Sequence, residues 1–231
     1  MEEKSANSDR SHARDGRSPW LELWLHPRQV TRWFLNSDDP WKNALLLAVL
    51  SGALGGFNTA SGGNWGDDLS MPGLIIRALV VGSIGGLLGY YLGAYFLKWV
   101  GGWFGGEGTA DDMRVVIGQI SGRANLMIGA LLIPKLLIAR SELFASDTPN
   151  LDANSLFSFV FSAITVIEFA LGMWLFIVSL HAIGEAHGFS AWKSFAVEFI
   201  LGLILFVVLI IVIAIVLSVS GPPLWWLYEN R

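Results

Sequence analysis

FILGLILFVVLIIVIAIVL, residues 199–217, runs nineteen residues without a charged, polar or proline side chain. A hydrocarbon layer roughly 30 Å thick takes about 20 apolar residues at ~1.5 Å rise each. The run therefore predicts a membrane-spanning helix, from Phe195 to Ser218 once its flanks are added. Four weaker stretches have the same character: Ala44–Gly62, Gly73–Leu97, Val115–Ala139 and Ser155–Leu180. In the third, Arg123 and Pro134 interrupt the pattern, so a four-span reading with a re-entrant third segment stays open. The expected fold is an all-α integral membrane protein. It is a bundle of five transmembrane helices preceded by an amphipathic interfacial helix.

Composition agrees. Of 231 residues, 53% are hydrophobic and 15% charged, against about 25% charged in a soluble domain. Mean hydropathy is +0.54. An ordinary soluble enzyme, a disordered chain and a nucleic-acid binder are excluded on these figures. With 15 basic and 19 acidic residues the net charge is −4, so the chain is no polybasic membrane adhesin. It has no cysteine, which removes disulfides, thiolate metal sites, Fe–S clusters and palmitoylation. No charged region, apolar core and cleavage site precede the first span, so no signal peptide is expected.

Lys and Arg near the span ends set the expected orientation. Lys4, Arg10, Arg14, Arg17, Arg28, Arg32 and Lys42 precede the first span; Lys98 and Arg114 lie in the second loop, and Lys193 in the fourth. Placing these on the cytoplasmic side gathers ten of the fifteen basic residues there. The C-terminus is then outside. Trp20, Trp24, Trp33 and Trp41 fit an inner aromatic belt, and Trp225, Trp226 and Tyr228 an outer one. Residues 1–18 read as a disordered cytoplasmic tail and 19–43 as the amphipathic interfacial segment. Residues 44–220 are the five-helix domain, and 221–231 a short outer tail.

Gly82, Gly85, Gly86, Gly89 and Gly93 of the second span repeat at four-residue spacings. Ser51/Gly55, Gly52/Gly56 and Gly118/Gly122 do the same in the first and third. Small residues so spaced let helix backbones approach closely. They suit packing of spans one to three, a homodimer, or a glycine-lined path.

Charges inside the spans are costly and therefore informative. Arg77 and Lys135 lie near outer ends and are expected to snorkel. Arg123 is roughly 12 Å deep from the inner side, and Glu168 about 10 Å. The two are expected to pair, with Gln119, Asn125 and Glu198 in the same buried polar cluster. The cluster reads either as a structural tie or as an ion, proton or lipid-headgroup site.

Elsewhere the pattern is local. Thr109–Asp112 fits a capping box for the third span. Asp67 or Asp68, before Met71-Pro72, is placed to cap the second. His181, Glu185 and His187 read as a polar, water-facing connection, and their spacing is not HExxH. Ser190 is placed to cap the fifth helix, with Trp192 anchoring it. Neither these residues nor the two outer-loop aspartates form a metal site. No nucleophile–base–oxyanion set exists, so no catalysis and no cofactor are expected. The expected partners are the lipid bilayer and a membrane protein or second copy, without nucleic acid and with no small-molecule substrate identified.

Four stretches carry a family resemblance: PWLELWLHPRQV (19–30), NWGDDLSMPGLI (64–75), GSIGGLLGYYLGAYFLKWVGGWFGGEGT (82–109) and LHAIGEAHGFSAWKSF (180–195). In this order they resemble bacterial members of the Yip1 family. The resemblance spans roughly Pro19 to Leu217. It implies five spans, a cytoplasmic N-terminus and a place in the plasma (inner) membrane. Eukaryotic relatives are tied to vesicle traffic and Rab-class GTPases. Two features depart from the pattern. Asn125 ends SGRAN (121–125) where a proline is expected, and the acidic-Leu-Tyr-Gly-Pro motif is absent. The expected function is a non-enzymatic scaffold, adaptor or membrane-organising factor. The alternative is a small transporter, channel or lipid-handling protein built on Arg123 and Glu168.

Overall fold

The computed structural model describes residues 18–220. The expectations for the two tails, including the Trp225, Trp226 and Tyr228 belt, lie outside the described residues. The described residues form helices and turns only. Helices α1 (Pro19–Leu25) and α2 (Pro27–Leu35) come first, each with proline in its opening turn. There the missing N–H costs nothing, and the fixed φ suits a helix. Then follow α3 (Ala44–Gly62) and α4 (Met71–Trp103). The helical run α5 comprises Ala110–Val115, a π-helical Val116–Gly122 and Arg123–Gly129. After it come α6 (Leu132–Ala139), a 3₁₀ turn Arg140–Phe144 and short α7 (Pro149–Ala153). Two long helices close the chain, α8 (Ser155–His187) and α9 (Ala191–Ser220).

Four helices, α3, α4, α8 and α9, are long and apolar enough to cross a membrane. The third expected span is not a fifth helix of that kind. It breaks at Ala130–Leu131, between α5 and α6. Pro134 is the cause. Its ring has no N–H for the Ala130 carbonyl and clashes with it, so the helix restarts with Pro134 in its first turn. The broken run nevertheless extends from one end of the bundle to the other. At the near end, with Asn43 and His187, Glu107 N donates to His187 O at 3.2 Å. At the far end, with Gly62 and Asn154, Gly66 N donates to Phe144 O at 2.6 Å and Ser61 Oγ to Leu143 O at 2.7 Å.

Helix ends follow local chemistry. Thr109 and Asp112 form the expected capping box, with Asp112 N 3.1 Å from Thr109 Oγ1 and Thr109 N 2.8 Å from Asp112 Oδ2. The α8 N-terminus is held by the Asn154 side chain, which accepts from Leu156 N and Phe157 N. Gly188, at φ 73°, ends α8 in the left-handed conformation that favours glycine. The α4 start departs from expectation. Ser70 holds the cap position, and Asp67 turns to the far-end loop to accept from Ser146 N at 3.1 Å.

Helices α3 and α4 meet at their glycines. A Cβ on Gly52 would stand 2.5 Å from Gly82 O and 2.6 Å from Gly86 Cα. A Cβ on Gly56 would strike Ala78, and on Gly86 would stand 2.5 Å from Ala48 O. Gly85 and Gly89 face open space, and Gly93 touches only the Ile117 side chain. Helix α5 lies along α3 in the same direction: Gly118 meets Ala44, Gly122 meets Leu47 and Gly129 meets Leu54. Apolar side chains cover the outside instead. Along α9, Leu205 is 61% and Ile215 56% exposed. Small residues inside and large apolar ones outside suit a lipid solvent, where packing rather than apolar burial joins helices.

In the far-end loop, backbone amides hold the Glu142 carboxylate. Glu142 accepts from Asn150 N and Leu151 N, each at 3.0 Å, and from the Asn150 side-chain amide at 2.5 Å. The Asn150 backbone contact is the main cause holding its carboxyl below the usual glutamate range. Because the folded state favours the ionised form, this contact stabilises above the unfolded value, about 4.3, and is lost as pH falls through the lower folded one. The Asn150 and Leu151 amide resonances are therefore expected to titrate with a midpoint below 4.3. A midpoint at or above that value contradicts the contact.

Candidate functional site

The expected polar cluster divides into separate groups. Arg123 sits on the first turn after the π-helical stretch. Its Nη1 donates to the Gln119 backbone carbonyl at 2.7 Å and to the Gln119 side-chain oxygen. Its guanidinium lies 4.5 Å from the Phe34 ring centroid and 5.5 Å from that of Trp20. Gln119 Nε2 in turn donates to Pro40 O at 2.9 Å and Lys42 O at 2.8 Å. Arg123 and Gln119 thus hold the N-terminal segment against α5. They are brought together; Glu168 is not with them.

Glu168 instead accepts from Lys135 Nζ at 2.8 Å, with both side chains largely buried, at 18% and 13% exposed. This corrects two expectations, the Arg123–Glu168 pair and a snorkelling Lys135. The break at Ala130–Leu131 turns α6, so Lys135 points to α8. Glu198 lies apart as well and accepts from Ser179 Oγ at 3.1 Å. Asn125 is exposed. Arg77 stacks over Trp65 at 4.2 Å.

The near end holds a further set of polar contacts. Helices α1 and α2 bury Leu23, Val30 and Phe34 in one core with Met113, Ile120 and Ile183. The amphipathic segment is therefore packed into the bundle, while Leu21 and Leu25 remain outward at 65% and 74% exposed. Trp174 Nε1 donates to Trp24 O at 2.9 Å, and Trp24 Nε1 to Met127 Sδ at 3.3 Å. Glu185 accepts from Arg32 Nε at 2.6 Å and from Arg28 Nη1 at 3.3 Å. Arg28 Nη2 also reaches Phe189 O at 3.1 Å. One carboxylate of α8 thereby clamps two arginines of α2.

His187, expected to face water, is 1% exposed. Its ring stacks on Phe189, with centroids 5.0 Å apart. Nε2 is 3.3 Å from Leu97 O; a carbonyl only accepts, so Nε2 carries the proton. Nδ1 is buried without a hydrogen-bond partner. Three glycines make room for the ring. A Cβ on Gly106 would stand 2.5 Å from Nδ1, on Gly108 2.9 Å, and on Gly101 it would strike Nε2. The glycines of GGWFGGEG (101–108) are the signal the sequence held for this slot, since a bulky partner needs missing side chains opposite it. The Glu185 clamp had no such signal: Arg28 and Arg32 lie more than 150 positions away.

His181 Nδ1 donates to its own helix, at Ile177 O, 2.8 Å away. Among the described residues no group of three His, Asp or Glu side chains is placed to hold a metal ion.

A family model described as Yip1 domain matches residues 21–213, from α1 through most of α9. No curated protein and no solved structure matches the chain.

Proposed function

The chain belongs to the Yip1 family, and from that premise we propose that it is a non-enzymatic, multi-pass membrane protein acting as a scaffold, adaptor or membrane-organising factor. In this reading the chain crosses five times, through α3, α4, the broken run α5–α6, α8 and α9. It lies in the plasma membrane with its near end in the cytoplasm and its C-terminus outside. The working surface is the near end, where α1 and α2 present exposed Leu21, Leu25 and Trp33.

One observation supports this reading most. The interfaces of α3 with α4 and α5 are closed by direct contact. Helices α3 and α4 touch backbone to backbone at Gly52, Gly82 and Gly86, and Gly118 of α5 seats on Ala44. The charged groups are tied to protein neighbours, Arg123 to Gln119 and Lys135 to Glu168. A transport path needs water reaching such groups.

Reconstitution into liposomes tests the proposal. Ion, proton and lipid-probe flux are expected to equal those of protein-free vesicles. Flux above that level, lost on Lys135→Gln and Glu168→Gln in folded protein, sinks the scaffold reading in favour of transport.

A further inference from the structure

At the near end, the last turns of α4 and the loop to α5 enclose a groove of about 440 Å³. Tyr95, Lys98, Trp99, Gly106, Glu107 and Gly108 line it. Lys98 and Glu107 are both exposed. They share one groove yet make no ion pair or side-chain hydrogen bond with each other or with any described residue. The neighbouring charges are already engaged: Asp112 in the capping box and Arg114 with Asp111 at 2.6 Å.

Glu107 stands on a fixed loop. Its own N–H donates to His187 O, and Gly106 N donates to Gly101 O at 3.0 Å. Gly105 turns the chain at φ 77°. Gly108 is wedged against Ala186 O and His187. Tyr95 is 57% and Trp99 44% exposed, and Trp99 packs edge-on to Trp103 at 4.8 Å. Such half-wet aromatic rings mark the headgroup level of a bilayer.

The groove thus offers one cation, one anion and an aromatic face, with the two charges unpaired and summing to zero among its lining residues. We propose that it binds the headgroup of a zwitterionic phospholipid. The phosphate sits on Lys98, the ammonium sits between Glu107 and the Trp99 face, and the acyl chains follow the Tyr91–Tyr95 side of α4. Phosphatidylglycerol carries no ammonium to place against Glu107 and leaves that carboxylate facing a net negative headgroup. The fixed loop lowers the ordering cost of binding. The proposal rests on the membrane reading above, which the flux assay tests separately.

Native mass spectrometry of the full-length protein provides the test. The protein is incubated with an equimolar mixture of phosphatidylethanolamine, phosphatidylcholine and phosphatidylglycerol with matched acyl chains. The wild type is expected to retain the zwitterionic lipids at least about fivefold over phosphatidylglycerol. Glu107→Gln is expected to erase that preference, and Lys98→Gln to lower retention of all three lipids. Glu142→Gln, at the far end, is expected to change neither. Equal or greater retention of phosphatidylglycerol by the wild type overturns the proposal by itself, whatever the variants do. A preference that survives Glu107→Gln in folded protein overturns it too.

Discussion

Gly82→Val is expected to cost the folded bundle about 3 kcal/mol or more. Gly82 sits where α4 crosses α3, and any Cβ there would run into Gly52 O and stand 2.8 Å from Gly56 N. The obstacle is backbone, which no rotamer change relieves. To admit the side chain, α3 and α4 must separate, and Gly52, Gly56 and Gly86 lose their contacts with them. In lipid no apolar burial repays that loss, because the tails outside are as apolar as the helix face. Gly85→Ala is the matched control, since nothing stands within 4 Å of its Cβ. It is expected to be neutral or to stabilise by up to about 1 kcal/mol through helix propensity. Unfolding in mixed micelles, followed by far-UV circular dichroism, reads both. Equal stability of Gly82→Val and wild type refutes the crossing.

Lys135→Ala is the second large change. It leaves Glu168 within the bundle facing no cation. Breaking a fully buried pair costs about 3–5 kcal/mol. With side-chain exposures of 13% and 18%, solvent screening lowers the expectation to roughly 2–3 kcal/mol. The partner assignment is tested by a double-mutant cycle. Lys135→Ala and Glu168→Ala are expected to couple by more than about 1 kcal/mol, while Arg123→Ala and Glu168→Ala add independently. Coupling between Arg123 and Glu168 restores the pair that counting residues suggested.

That reversal shows where residue counting stops. Depth along a helix follows from sequence at about 1.5 Å per residue, and it placed Arg123 and Glu168 at similar depth. It says nothing of the direction a side chain takes around the helix axis. The π-helical Val116–Gly122 and the break before Pro134 each change that direction, and so Lys135 rather than Arg123 meets Glu168. The glycines of α4 make the same point. Gly82/Gly86 and Gly85/Gly89 have one spacing, but only the first pair faces α3.

His187 adds a contact between distant segments. Its neighbours in sequence, Glu185 and Gly188, suggest a wet turn. Burial came from Gly101, Gly106 and Gly108, some 80 positions earlier, closing over the ring.

By itself the sequence determined the apolar helices, the capping box at Thr109 and Asp112, and the amphipathic character of residues 19–35. Each of these depends on solvent preference or on hydrogen bonds within a few residues, so neighbours in the chain suffice. The tertiary structure alone decided the docking of α1 and α2 under the Glu185 clamp, the burial of His187, and the pairing of Lys135 with Glu168. Those depend on the rotation and register of one helix against another, which packing sets between segments from 33 to 157 positions apart in the chain.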